Sequence, residues 1–177
     1  DILKSNKSGW IDPTRSVMLV GKERHDLGRP HDWGYPVRAI RTKHWLYIRN
    51  YEPDRWPMGG PDFEFPEVGT FGDTDNSPTK RYMMEHREDE NLKELFAMSF
   101  GKLPAEELYA IDKDPAQMNN LAENPAYTKV KEHLRKRMED YQRATGDPRA
   151  RGESPWDDYP FYSGKKYLKG KYLQEIQ

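Results

Sequence analysis

The sequence has 177 residues, 34% of them apolar and 33% charged, with 29 Lys and Arg against 30 Asp and Glu, a formal charge of −1 and no cysteine. That balance gives no general attraction to nucleic acid or anionic membrane; the absence of cysteine excludes disulfides, thiolate zinc sites and cysteine nucleophiles; no apolar run approaches the ~20 residues that span a bilayer. The apolar share is low for a free-standing domain, so either much of this chain is surface or part of its apolar face is covered by polypeptide outside this sequence. The opening DILKSNKSGW begins with Asp1 and carries no signal-peptide pattern, which reads as an internal fragment of a longer protein.

Along the chain, SVMLV at 16–20 predicts a buried strand. Residues 21–36, GKERHDLGRPHDWGYP, follow as a loop crowded with cations, two His-Asp pairs and glycines. VRAIRT and KHWLYIRN, 37–50, predict a hairpin turning near Thr42-Lys43. Its second strand places Trp45, Tyr47 and Arg49 on one face and Leu46 and Ile48 on the other, so it is expected to be central in its sheet. From Glu52 to Pro78 the chain is acidic and rich in Pro and Gly. The prolines exclude a central strand or helix interior, and Trp56, Phe63, Phe65 and Phe71 predict a packed surface excursion.

Ser77-Pro78-Thr79 opens a predicted helix to about Phe100, with an apolar stripe of Tyr82, Met83, Leu92, Leu95, Phe96 and Ser99 interrupted by the charged run HREDEN. ELYAID, 107–112, predicts a strand, and 112–121 is turn chemistry. Pro125 at a first-turn position starts the clearest helix, to Thr145. Tyr127, Val130, Leu134, Met138 and Tyr141 recur at three- and four-residue steps and form its core-directed face, and Gly146-Asp147-Pro148 ends it. The fold class is α+β: a small antiparallel sheet of about four strands with a long C-terminal helix packed on one face.

Residues 22–49 hold seven Lys and Arg against three acids, and 52–78 hold seven acids against Arg55. Such a basic segment suits an anion-binding face. His25-Asp26 and His31-Asp32 could supply metal ligands, but the His spacing is not that of a known ligand pair, and Arg24 and Arg29 would add positive charge beside a cation. No Gly-x-Ser-x-Gly elbow marks a nucleophile. Anion recognition fits better: arginine offers a bidentate fork, Gly28 and Gly34 allow close backbone approach, and Trp33 and Tyr35 can stack on a sugar. A solvated loop whose charges pair with one another remains the competing account.

The segment from Ser16 to His25, then Gly34-Tyr35-Pro36-Val37-Arg38-Ala39-Ile40-Arg41-Thr42 and Trp45-Leu46-Tyr47-Ile48-Arg49-Asn50, resembles the C-terminal part of type I, formylglycine-dependent sulfatases, most of all the bacterial relatives of heparan N-sulfatase. Glu107-Leu108-Tyr109, Asp112, Asp114-Pro115 and Asn119-Asn120-Leu121-Ala122 are similar to that family's ELYDLxxDPxExxNLA segment, with Ala110 where Asp is usual. The resemblance covers roughly residues 10–150. It implies an alkaline-phosphatase-like sulfatase C-terminal subdomain at 16–150, a segment of the preceding catalytic domain at 1–15 and a tail at 151–177. It also implies a catalytic sulfatase domain as partner, a sulfated glycan as substrate with heparan-type N- or O-sulfate foremost, and a periplasmic or extracellular setting.

The family's reaction uses a formylglycine made from a Cys/Ser-x-Pro-x-Arg motif, and Ca²⁺ held by Asp and Asn. Here the nearest approach, Ile11-Asp12-Pro13-Thr14-Arg15, has isoleucine at the nucleophile position. Both formylglycine and calcium are therefore expected outside this sequence, which alone should not turn over a sulfate ester. What remains is substrate recognition, placed on Arg24 and His25, then His31, Trp33 and Arg38. A non-catalytic module binding an anionic sugar or a protein partner, and a purely structural subdomain, are the alternatives.

Overall fold

The structure is a computed structural model that describes residues 2–9, 11–26, 28–64 and 68–159. Four strands, β1 (Met18–Lys22), β2 (Val37–Arg41), β3 (Trp45–Asn50) and β4 (Glu106–Ala110), form one antiparallel sheet in sequence order. The hairpin and the central position of β3 agree with the sequence. β1 lies two residues later than the apolar run at 16–20 and is mostly exposed rather than buried. It is an edge strand, with a neighbour on one side only.

The helix α3 (Thr128–Thr145) covers one face of the sheet. Asn124 caps the turn that leads into it by accepting from the Ala126 N–H, and Pro125 supplies a preset first turn. Gly146 closes it in the left-handed conformation, where the Asp147 N–H reaches back to Gln142 O. The register sets Leu19, Ile40, Tyr47 and Leu108 side by side across the strands. Ile40, Tyr47 and Leu108 are wholly buried against Leu134 and Met138, and Trp45, Tyr127 and Val130 extend that layer. Each such apolar side chain contributes about 1.5–3 kcal/mol on burial. One position departs from the predicted stripe. Gln142, four residues beyond Met138, turns inward, and Tyr141 faces solvent.

Alternation along the strands sends Met18, Leu46 and Tyr109, and Val20, Ala39 and Ile48, to the opposite face. Met18 and Val20 are more than half exposed there.

The stretch 77–100 is two helices, α1 (Pro78–Glu85) and α2 (Lys93–Phe100), not one. In the charged run between them, His86 and Asp89 pair through their side chains. The Asp89 and Leu92 amides donate to carbonyls three residues back, and this tight turn ends α1. Tyr82 and Leu95 consequently stay exposed. At α1 the expected start holds, with Ser77 Oγ accepting from the Lys80 N–H. The long loop is packed, as its aromatics imply. Phe71 meets Trp56, Phe96 and Phe100 at ring separations of 5.9, 5.8 and 5.1 Å, whereas Phe65 falls outside the described residues. The buried Lys80 ammonium donates to Val68 O, Phe71 O and Thr74 O and ties the loop to α1. Residues 151–159 are part of the fold; 160–177 lie outside the described residues.

Candidate functional site

The loop joining β1 to β2 is built around arginines that point inward. Arg29 donates from Nε to Trp56 O at 2.7 Å and from Nη2 to Pro57 O and Asp73 Oδ2, both at 2.6 Å. Asp73 in turn accepts from the Asp26 N–H. Arg24 donates to Asp32 Oδ2 at 2.9 Å and to Asp32 O at 3.0 Å. Arg38 forks onto Asp147 at 2.7 and 3.1 Å and also pairs with Glu23 at 2.7 Å. The second oxygen of Glu23 takes Arg149 at 2.6 Å.

Burial by itself would lower the pKa of Arg38. Its hydrogen bonds to Asp147 and Glu23 outweigh that and raise it. The same fork holds the Asp147 carboxyl below its ordinary value against the upward push of burial. Burial, with Glu107 adding to it, pushes the Tyr35 phenol up to about 12.

The structure therefore divides the sequence candidates. Arg24 and Arg38 are engaged within the chain. His25, His31 and Trp33 are exposed, and His31 and Trp33 stand together, ring centroids 4.9 Å apart. His31 and Asp32 both adopt left-handed backbone, φ 57° and 59°, a conformation of the kind that clusters at functional loops. It turns the His31 ring outward over Trp33 and the Asp32 carboxylate inward to Arg24. Behind Trp33 the Arg55 guanidinium lies 4.9 Å from the ring centroid, held by Gly34 O at 3.0 Å and by Asp157 at 3.1 and 3.3 Å. Arg55 escaped sequence reasoning because its partners are distant in the chain.

Gly28 and Gly34 do permit close approach, but of the chain to itself. A Cβ on Gly34 would stand 2.2 Å from Glu23 O, and one on Gly28 would stand 3.0 Å from the Asp73 amide nitrogen. Ile11 to Arg15 is a turn in which Asp12 accepts from Thr14 and pairs with Arg15. Among the described residues no three His, Cys, Asp or Glu converge to hold a metal ion. The surface left for a ligand is an aromatic platform of Trp33 and the His31 imidazole on a charge-neutralised base. It is suited to stacking on a sugar ring and donating hydrogen bonds to its oxygens.

Over 113 residues, 64% of its length, this chain is 33% identical to an ulvan-active sulfatase of Formosa agariphila, of which it spans 18%. It carries a sulfatase-related region. A second ulvan-active sulfatase of that organism is 30% identical over 112 residues, 63% of this chain and 17% of that protein. The chain thus spans less than a fifth of the length of these curated relatives. Two solved structures, one of a Bacteroides thetaiotaomicron protein and one of a 2-O GAG sulfatase, align with 98% of the chain and 25% of their own, at 18% identity and TM-score 0.39. No family model matches the chain.

Proposed function

We propose that this chain is the C-terminal, substrate-recognition part of a sulfatase that hydrolyses sulfate esters or N-sulfate groups of a sulfated glycan. The observation that carries the reading is the 33% identity to an ulvan-active sulfatase over 113 residues, 64% of the chain. Trp33, His31 and His25 contact the sugar, and Arg24 and Arg38 hold the loop that presents them. The formylglycine and its calcium belong to polypeptide outside this chain. In the family's reaction fixed cations stabilise the negative charge that gathers on the sulfuryl oxygens.

The catalytic sulfatase domain is the partner, and the sheet face opposite α3 is where it docks. The exposed Met18 and Val20 on that face support this, as does the far greater length of the curated relatives. A heparan-type N- or O-sulfate and a periplasmic or extracellular setting complete the reading. The alternative, a subdomain that only completes its neighbour's fold, draws on the arginines being engaged internally.

Sulfate release from a panel of sulfated oligosaccharides by the intact gene product separates the two. Trp33→Ala and His31→Ala should raise KM about three- to tenfold, the worth of an aromatic stack or a hydrogen bond, with kcat nearly unchanged. No release from any sulfated glycan refutes the sulfatase reading, and unchanged KM in both variants refutes the contact surface.

A further inference from the structure

The helix α3 carries six Lys and Arg, and four of them are engaged by acids. Lys131 and Arg135 reach Glu106, Lys136 pairs with Asp140, and Arg143 pairs with Asp140 and Glu139. The remaining two, Lys129 and Arg137, and His133 between them, have no side-chain partner among the described residues. These three basic residues line an open groove of about 360 Å³ between α3 and the β2–β3 turn, beside Val130, Leu134, Thr42 and Trp45. The acid nearest in sequence, Glu132, does not line it.

Spaced four residues apart, the three side chains form one row, an imidazole between two cations. They rise about 6 Å per step along the helix, with a drift of a fraction of a turn. The floor beside them is fixed. Thr42 N–H donates to Trp45 O at 2.8 Å and Thr42 Oγ1 accepts from Trp45 N–H at 3.0 Å, while the indole packs edge-on to Tyr127 at 5.6 Å. The groove lies at the Thr42–Trp45 end of the sheet, and the His31–Trp33 loop joins the sheet at the other, between Lys22 and Val37.

A linear row of two cations and an imidazole, without an acidic partner among the described residues and next to a partly exposed indole, matches a polymer that alternates flat apolar sugar faces with fixed anions. We propose that Lys129, His133, Arg137 and Trp45 form a second glycan-binding site that grips a sulfated polysaccharide along α3. The choice of ligand class rests on the sulfatase reading; the groove and its unpaired row do not. Nucleic acid offers the same charges but calls for more than one open aromatic platform and a broad basic field, and the protein as a whole is slightly acidic.

The test measures binding of this chain to heparin as probe, with chemically desulfated heparin and single-stranded DNA alongside. Parent chain should retain on the sulfated polymer, more weakly as salt rises, and shift the Trp45 indole N–H resonance, assigned with Trp45→Phe. Lys129→Ala/Arg137→Ala should weaken binding about tenfold, two exposed charge contacts together, with an unchanged melting curve. Lys136→Ala, on the same helix but outside the groove and paired with Asp140, should leave it intact. Undiminished binding by the double variant, equal binding to DNA, or a shift confined to other indoles overturns the proposal. None of these readouts depends on sulfate release, so loss of the enzymatic reading would register separately.

Discussion

Replacing Arg29 with alanine tests the frame under the β1–β2 loop. Both Arg29 and Asp73 are about 3% exposed. The guanidinium supplies bonds to Trp56 O, Pro57 O and Asp73, with a longer contact to Trp33 O. Truncation leaves a buried carboxylate without its cation and several carbonyls without donors. Breaking a buried pair in this one-sided way costs about 3–5 kcal/mol, which for a chain of this size lowers the melting midpoint by about 6–20 °C.

Asp73→Asn keeps an acceptor for the Asp26 N–H and should cost less, about 1–3 kcal/mol. Combining Arg29→Ala with Asp73→Asn should cost less than the sum, with a coupling of about 0.5–3 kcal/mol. Urea unfolding followed by tryptophan fluorescence and circular dichroism measures all three. A loss of under about 1 kcal/mol for Arg29→Ala, the worth of a solvent-exposed pair, would refute the argument.

Stability should also depend on acid. Burial alone would push Glu106 and Asp147 up. Hydrogen bonds from Tyr47 and Arg135 to the first, and from Arg38 to the second, hold both below their ordinary values of 4.5 and 3.8. The unfolded chain therefore binds protons first, so the contribution is full above those ordinary values and is lost as pH falls through the folded-state ones. Urea midpoints between neutral pH and about pH 3 should fall, and less steeply in Asp147→Asn; an identical slope in the variant counts against the assignment. Gly34→Ala places a Cβ 2.2 Å from Glu23 O and should cost about 1–3 kcal/mol by overpacking. A melting curve matching the parent's would show that the two ends of the β1–β2 loop do not meet so closely.

What the sequence made legible was local. The β2–β3 hairpin follows from alternation and β-branched residues, and α3 from Pro125, the apolar period and Gly146. The acidic run at 86–91 hid a chain reversal because charged residues tolerate helix and turn alike, and only the pairing of His86 with Asp89 decides. β1 reads as buried from its composition, but burial depends on how many strands flank it, which no short window records. At the site the exposed members were visible as residue types. Which arginines were free was not, because Arg29, Arg38 and Arg55 find their acids 44, 109 and 102 positions away.

Asp157 sits beyond the long helix, in a short turn at Pro155–Asp158, yet it anchors the guanidinium against which the Trp33 indole rests. The neighbouring Trp156 stacks on Arg38 and Arg149. A cut near residue 150 would spare the four strands and α1 to α3 and still unfasten the Trp33 indole from behind. The affinity for carbohydrate proposed for this loop should then fall while the fold's spectroscopic signature stays intact, so trimming that end would loosen the grip without touching a single proposed contact.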